Sequence, residues 1–121
     1  MKLFESGAYF IRYECRMETH DYVQDDGSVE PETRPNDYFV PCLFAEAHGI
    51  TFRCPKDPRG HSIQVFFAGS PVPPHIGTNK NGETVRWKKT GTGLTDLTLT
   101  PSIQEESECG WHGYVTNGEA R

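Results

Sequence analysis

The 121-residue chain is predicted to form a mainly β, loop-rich domain: a small antiparallel sheet or sandwich carrying a zinc-ribbon-like knuckle. Three observations predict it. Glycine and proline are abundant, with 12 and 9 copies against 35% apolar residues, which suits many turns and disfavours a helical bundle. Turn-forming pairs recur at Asp26-Gly27, Asn81-Gly82 and Asn117-Gly118, and short β-branched or aromatic runs lie between them. No heptad pattern or internal repeat appears. At this length residues 1–121 are expected as one domain.

The elements follow in order. Residues 8–15, Ala-Tyr-Phe-Ile-Arg-Tyr-Glu-Cys, are aromatic and β-branched and read as a first strand. From there to residue 37 apolar content nearly vanishes, and Asp25-Asp26-Gly27-Ser28, Pro31 and Pro35 intervene. Residues 16–40 are therefore expected as a mobile acidic loop or hairpin tip, leaving 41–121 as the β core with its metal knuckle. Ile50-Thr51-Phe52-Arg53-Cys54 alternates and delivers Cys54 to a strand end, where Pro55 and Pro58 force a compact turn. Ser62-Ile63-Gln64-Val65-Phe66-Phe67 is the clearest strand, with His61 at its entrance. Residues 69–77, with three prolines, are irregular; strands are predicted at 84–89, over much of 94–103, and at 111–115 before the Asn117-Gly118 turn. The total is about six short strands.

Charge is unevenly placed. Residues 1–40 hold four basic residues against nine carboxylates, whereas 41–121 balance at eight of each sign. That acidity argues against a general electrostatic grip on nucleic acid. No apolar leader follows Met1 and no apolar run is long enough to span a bilayer, so a cytoplasmic protein without membrane contact is expected. In that compartment the four cysteines are read as thiols or metal ligands rather than disulfides. Cys15 and Cys42 are assigned to the core, and His20, His48 and His75 to the surface.

Two segments carry the chemistry. Cys54 and His61 flank the proline-bounded knuckle, and Cys109-Gly110-Trp111-His112 presents a second Cys and His from one tight turn. Cys54, His61, Cys109 and His112 make a two-thiol, two-imidazole set that suits tetrahedral zinc. Asp57 stands where a zinc ribbon would place a second cysteine, and serves as an extra ligand or as a hydrogen-bond partner of His61. The alternative is that all four are ordinary packing and surface residues.

Catalytic signatures are sparse. Cys54, Cys109 and His112 could hold a catalytic zinc with Asp57 or Glu108 as base, but neither His-Glu-x-x-His nor the deaminase pattern is present. As a nucleophile Cys109 is disfavoured, because the acidic turn Glu105-Glu106-Ser107-Glu108 should raise its pKa. Lys80, Arg86, Lys88 and Lys89 around Trp87 form the one candidate nucleic-acid contact, with too few aromatics for a stacking platform. A non-enzymatic protein is expected.

The segments 49–55, 91–99, Pro101-Ser102-Ile103 and 109–118, with His61 before its strand, resemble a family of small zinc-ribbon-like proteins encoded by bacteriophages and prophages. The resemblance spans about residues 41–121 and omits the acidic N-terminal third. It implies that Cys54, His61, Cys109 and His112 fall on metal-ligand positions, with Asp57 a departure from the pattern. The function expected is a phage or prophage accessory protein with a structural zinc, binding a macromolecular partner, foremost a host protein. A small zinc-dependent nucleic-acid-binding protein and a minor virion component are the alternatives.

Overall fold

The computed structural model describes residues 1–107 and 109–121; Glu108, one of the two bases considered above, lies outside the described residues. Eight strands run in order: β1 (Tyr9–Val23), β2 (Val29–Cys42), β3 (Gly49–Arg53), β4 (Ser62–Phe66), β5 (Lys88–Thr90), β6 (Thr98–Gln104), β7 (His112–Thr116) and β8 (Glu119–Ala120). They form two four-stranded antiparallel sheets, ordered β2-β1-β3-β4 and β5-β6-β7-β8. The mainly β expectation holds, and the only helical pieces among the described residues are two single 3-10 turns at Leu3–Glu5 and Phe44–Glu46.

The segment expected as an acidic loop is instead a regular ribbon, with β1 and β2 paired from Phe10↔Cys42 to Val23↔Val29. Its prolines obstruct nothing, for a geometric reason. Pro31, Pro35 and Pro41 stand opposite Asp21, Met17 and Ile11. Gln24 N–H bonds Ser28 O at 2.7 Å, and Tyr13 N–H points the other way, to His48 Nδ1 at 3.0 Å. By strand alternation the odd-numbered residues of β1 and β2 turn their backbone groups away from each other. All three prolines thus sit where the missing N–H would have faced outward, which costs no ladder bond and blunts an edge strand against further pairing.

Polar and aromatic cross-strand pairs hold this ribbon where apolar residues are scarce. Thr19 and Thr33 hydroxyls meet at 2.7 Å, Arg34 lies 3.6 Å over the Tyr22 ring and Arg16 4.3 Å over Tyr38. At the tip, Asp26 accepts from Ser28 N–H at 2.9 Å and Gly27 takes a left-handed φ of 84°. Cys15, assigned to the core by sequence, is exposed on this ribbon and Cys42 is half-buried; alternation along a solvated two-stranded ribbon provides no interior for Cys15.

One core joins the two sheets. Ile50, Phe52, Val65 and Phe67 from the first pack with Leu97, Leu99, Ile103, Trp111 and Val115 from the second. Phe52 meets Trp111 edge to face at 5.9 Å between centroids. The strand expected at 84–89 shortens to β5, because Trp87 departs to the first sheet: its N–H bonds Phe66 O at 3.0 Å and its carbonyl accepts from Ala68 N–H at 2.8 Å. The sheets therefore diverge at Trp87, and an open cleft of about 440 Å³ lies between β4 and β6, with Gly77, Thr78, Asn79 and Val85 forming a further wall.

Candidate active site

β6 and β7 pair at Ile103↔Gly113 and Gln104↔His112, and again at Leu99↔Val115. Four steps along β6 thus match two along β7, so β6 bulges between Leu99 and Ile103. Alternation of burial along β6 breaks at Thr100 and Pro101 and resumes from Ser102 onward. Ser102 therefore shares a face with Gln104 and stands diagonal to His112 across the regular ladder. Its Oγ lies 3.1 Å from Nε2 of His112, and its carbonyl accepts from Trp87 Nε1 at 3.3 Å, which anchors the bulge to the cleft wall.

With Nε2 unprotonated, the Ser102 hydroxyl donates to the imidazole, the relationship of a nucleophile to its general base. Ser102 is half-buried and lines the cleft, and His112 is exposed beside it. The histidine–carboxylate pairs among the described residues are His20–Glu18, His61–Glu105 and His75–Asp37. None involves His112, and the arrangement is a Ser–His dyad.

Beside it lies a thiol–imidazole cluster. Ligand atoms of Cys54, His61 and Cys109 lie within 4.8 Å of one another. The two free thiol sulfurs are 3.1 Å apart, and Cys109 Sγ is 3.3 Å from His61 Nε2. Cys54 reaches the cluster from the buried end of β3, where Cys54 N–H bonds His61 O at 3.2 Å and closes the knuckle. Burial first, then the hydrogen bond shared with Cys109, pushes the Cys54 thiol up. At Cys109 desolvation also pushes upward, yet hydrogen bonds from Cys54, Trp111 N–H and Ser107 outweigh it and the thiol is lowered. Glu105 does push the thiol upward, as expected of the acidic turn, but the hydrogen bonds outweigh that repulsion and the net direction expected is reversed.

Of the four predicted ligands the structure brings three together. His112 is engaged with Ser102 and lies outside the cluster. Asp57 is also outside it. Its carboxylate folds against Gly60, where an added Cβ would stand 1.8 Å from Oδ2, so the carboxylate packs on its own turn.

A second serine approaches a histidine here, Ser107 Oγ to His61 Nε2 at 3.4 Å. That contact is longer, and the same nitrogen faces Cys109 Sγ at 3.3 Å, so His61 belongs to the thiol cluster.

The four cationic residues considered for nucleic acid do not form a patch. Arg86 turns inward and donates to the carbonyls of Ile76 at 2.8 Å, Val85 at 2.9 Å and Pro73 at 3.0 Å, stapling the proline-rich loop. Lys89 Nζ sits 4.5 Å over Phe44 and 4.8 Å over Phe67, a cation–π arrangement. Lys88 and Lys80 are exposed on separate elements. Burial of carbonyl-rich loop backbone gives Arg86 its inward role, which sequence alone did not reveal.

Sequence reasoning missed the dyad although both residues stood in the segments it singled out. The available signal was a serine and a histidine ten positions apart in adjacent strands joined by a short turn, a spacing that places them on neighbouring rungs of a hairpin. Only the register of the pairing, Gln104 opposite His112, sets them diagonally side by side.

Residues 25–121, well over half of the chain, match the family described as bacterial ubiquitination-like system serine protease (BubE). Neither the curated proteins nor the solved structures yield a match. The matched family is described as bacterial, in place of the phage and prophage family expected. Its description as a serine protease overturns the expectation of a non-enzymatic protein: that expectation weighed metal, cysteine and phosphate-loop signatures and left Ser102 out. No helix among the described residues is long and apolar enough to cross a membrane.

Proposed function

The chain belongs to the BubE family, a component of a bacterial ubiquitination-like system, and from that membership we propose that it is a serine peptidase working through a Ser102–His112 dyad. The observation that carries the reading is the 3.1 Å contact between Ser102 Oγ and His112 Nε2 across the β6–β7 ladder. In the first step Ser102 Oγ attacks the scissile carbonyl carbon while its proton passes to His112 Nε2. The carbonyl π pair moves to oxygen. As the tetrahedral intermediate collapses, the C–N bond breaks and His112 returns the proton to the leaving amine. Water, deprotonated by the same Nε2, then attacks the ester carbonyl and releases Ser102 with its proton restored. Overall one water is consumed and one amide becomes an acid and an amine.

Cys54, His61 and Cys109 are proposed to hold a zinc ion, for which two thiolates and an imidazole are fitting donors. Bound there, the metal supplies a structural clip between the knuckle and the turn that leads into β7. Cys109 stands three positions before His112, so this chain's own ligands fix the strand that presents the base. The partner that follows is a bacterial polypeptide bearing the bond to be cut.

The test is hydrolysis of an internally quenched peptide pool of randomised sequence by the full chain. Cleavage is expected to fall by about a thousandfold or more with Ser102→Ala and similarly with His112→Ala, while Ser107→Ala stays within about twofold of wild type. Equal loss with Ser107→Ala, or no loss with Ser102→Ala, would reject the dyad.

A further inference from the structure

Beyond the dyad, the backbone around it is incompletely paired in a way that describes a binding channel. β6 pairs with β5 only over Thr98–Thr100, and β5 ends at Lys88 because Trp87 crosses to the other sheet. Past Thr100, that side of β6 has no neighbouring strand among the described residues. β7 occupies its other side, where Glu105 N–H bonds Trp111 O at 2.7 Å. Alternation then turns the backbone N–H and C=O of Gln104 toward the open side. Across the cleft β4 presents a matching edge. His61 O is bonded by Cys54 N–H on the β3 side, and Phe66 O faces Trp87 on the other, so the backbone groups of Gln64 also point outward from the sheet. Gln64 and Gln104 both line the cleft, together with Ser102.

Two unpaired sheet edges facing each other across a cleft are a template for one more strand. We propose that this cleft is the substrate channel, and that it takes an extended, unfolded polypeptide segment inserted between β4 and β6. The inserted segment pairs with both edges and turns the two sheets into one continuous surface. Ser102 lies at the end of the open edge of β6, so the inserted segment runs directly to the nucleophile. Trp87, whose indole holds the Ser102 carbonyl at 3.3 Å, stops the channel where the sheets rejoin. The occupant is a substrate chain rather than a folded surface, because only an extended backbone supplies donors and acceptors on both sides at once. This inference rests on the serine peptidase reading for the identity of its occupant.

The experiment separates the two. The full chain carrying Ser102→Ala is immobilised and exposed to a synthetic pool of random dodecapeptides, and retained peptides are identified by mass spectrometry. The tightest binder is then remade in two forms, N-methylated at its odd or at its even backbone nitrogens. A strand held between two edges uses both sets of N–H groups, so each form is expected to bind at least tenfold more weakly than the parent. Gln64→Pro, which removes one outward N–H on β4 and leaves its pairing with β3 intact, should weaken the parent peptide comparably. Retention of no peptide, or sensitivity to one methylation pattern alone, overturns insertion between the edges. Because this binding needs no reaction, it can succeed while hydrolysis fails, or fail while Ser102 still cleaves.

Discussion

His112 Nε2 lies 3.1 Å from Ser102 Oγ across the β6–β7 ladder, although regular pairing through Gln104↔His112 would set Ser102 opposite Tyr114. The contact is a same-face diagonal: Ser102 and Gln104 share one face of β6, and His112 stands opposite Gln104. Cross-strand register, rather than sequence adjacency, brings the serine and the histidine together, and Cys109 of the thiol cluster lies in the turn between their strands.

The clip should be measurable as stability. Elemental analysis of the purified chain is expected to find about one zinc per molecule. Excess chelator should lower the thermal midpoint by about 10 °C, as loss of a ligand held far above its dissociation constant implies. Cys109→Ser should reproduce both effects, whereas His112→Ala should leave metal content unchanged. Loss of zinc on His112→Ala would return that histidine to the ligand set.

The core shared by the two sheets includes one aromatic contact. Phe52 is buried and meets Trp111 at 5.9 Å, edge to face. Phe52→Ala opens a cavity between the sheets and should cost about 3–5 kcal/mol, read from the shift in urea midpoint at constant m-value. A cost below about 1 kcal/mol would show that the sheets do not share a core there.

His48 provides a pH signature. Its Nδ1 accepts from Tyr13 N–H at 3.0 Å where β1 leaves β3. Burial, followed by repulsion from Arg12 and Lys89, holds the imidazole below its ordinary value of 6.5. The unfolded chain then binds the proton at higher pH than the folded one. The contribution is whole above about pH 6.5 and is lost as pH falls toward the folded pKa. Urea midpoints should decline on acidification through this window, and His48→Gln should flatten the slope. An unchanged slope would remove His48 from this role.

Much of the fold was legible because period-two alternation and turn pairs mark buried strands directly. Ile50–Cys54 and Ser62–Phe67 correspond to β3 and β4, and Asn117-Gly118 forms the predicted turn between β7 and β8. The ribbon was not legible, since Thr19–Thr33 and the Arg–Tyr stacks replace the apolar pattern that signals a strand, and its prolines count against pairing until their outward register is known. Of the site, Cys54, His61 and Cys109 were readable from ligand chemistry. Ser102 was not, because a serine carries no pattern until strand register sets it beside a histidine.

The most direct measurement is mass-spectrometric mapping of the full chain after exposure to a fluorophosphonate, which phosphonylates only an activated serine. A single adduct on Ser102, strongly diminished in His112→Ala, is the predicted result. No adduct on the wild-type chain, or an adduct on Ser107 with Ser102 untouched, would contradict the dyad.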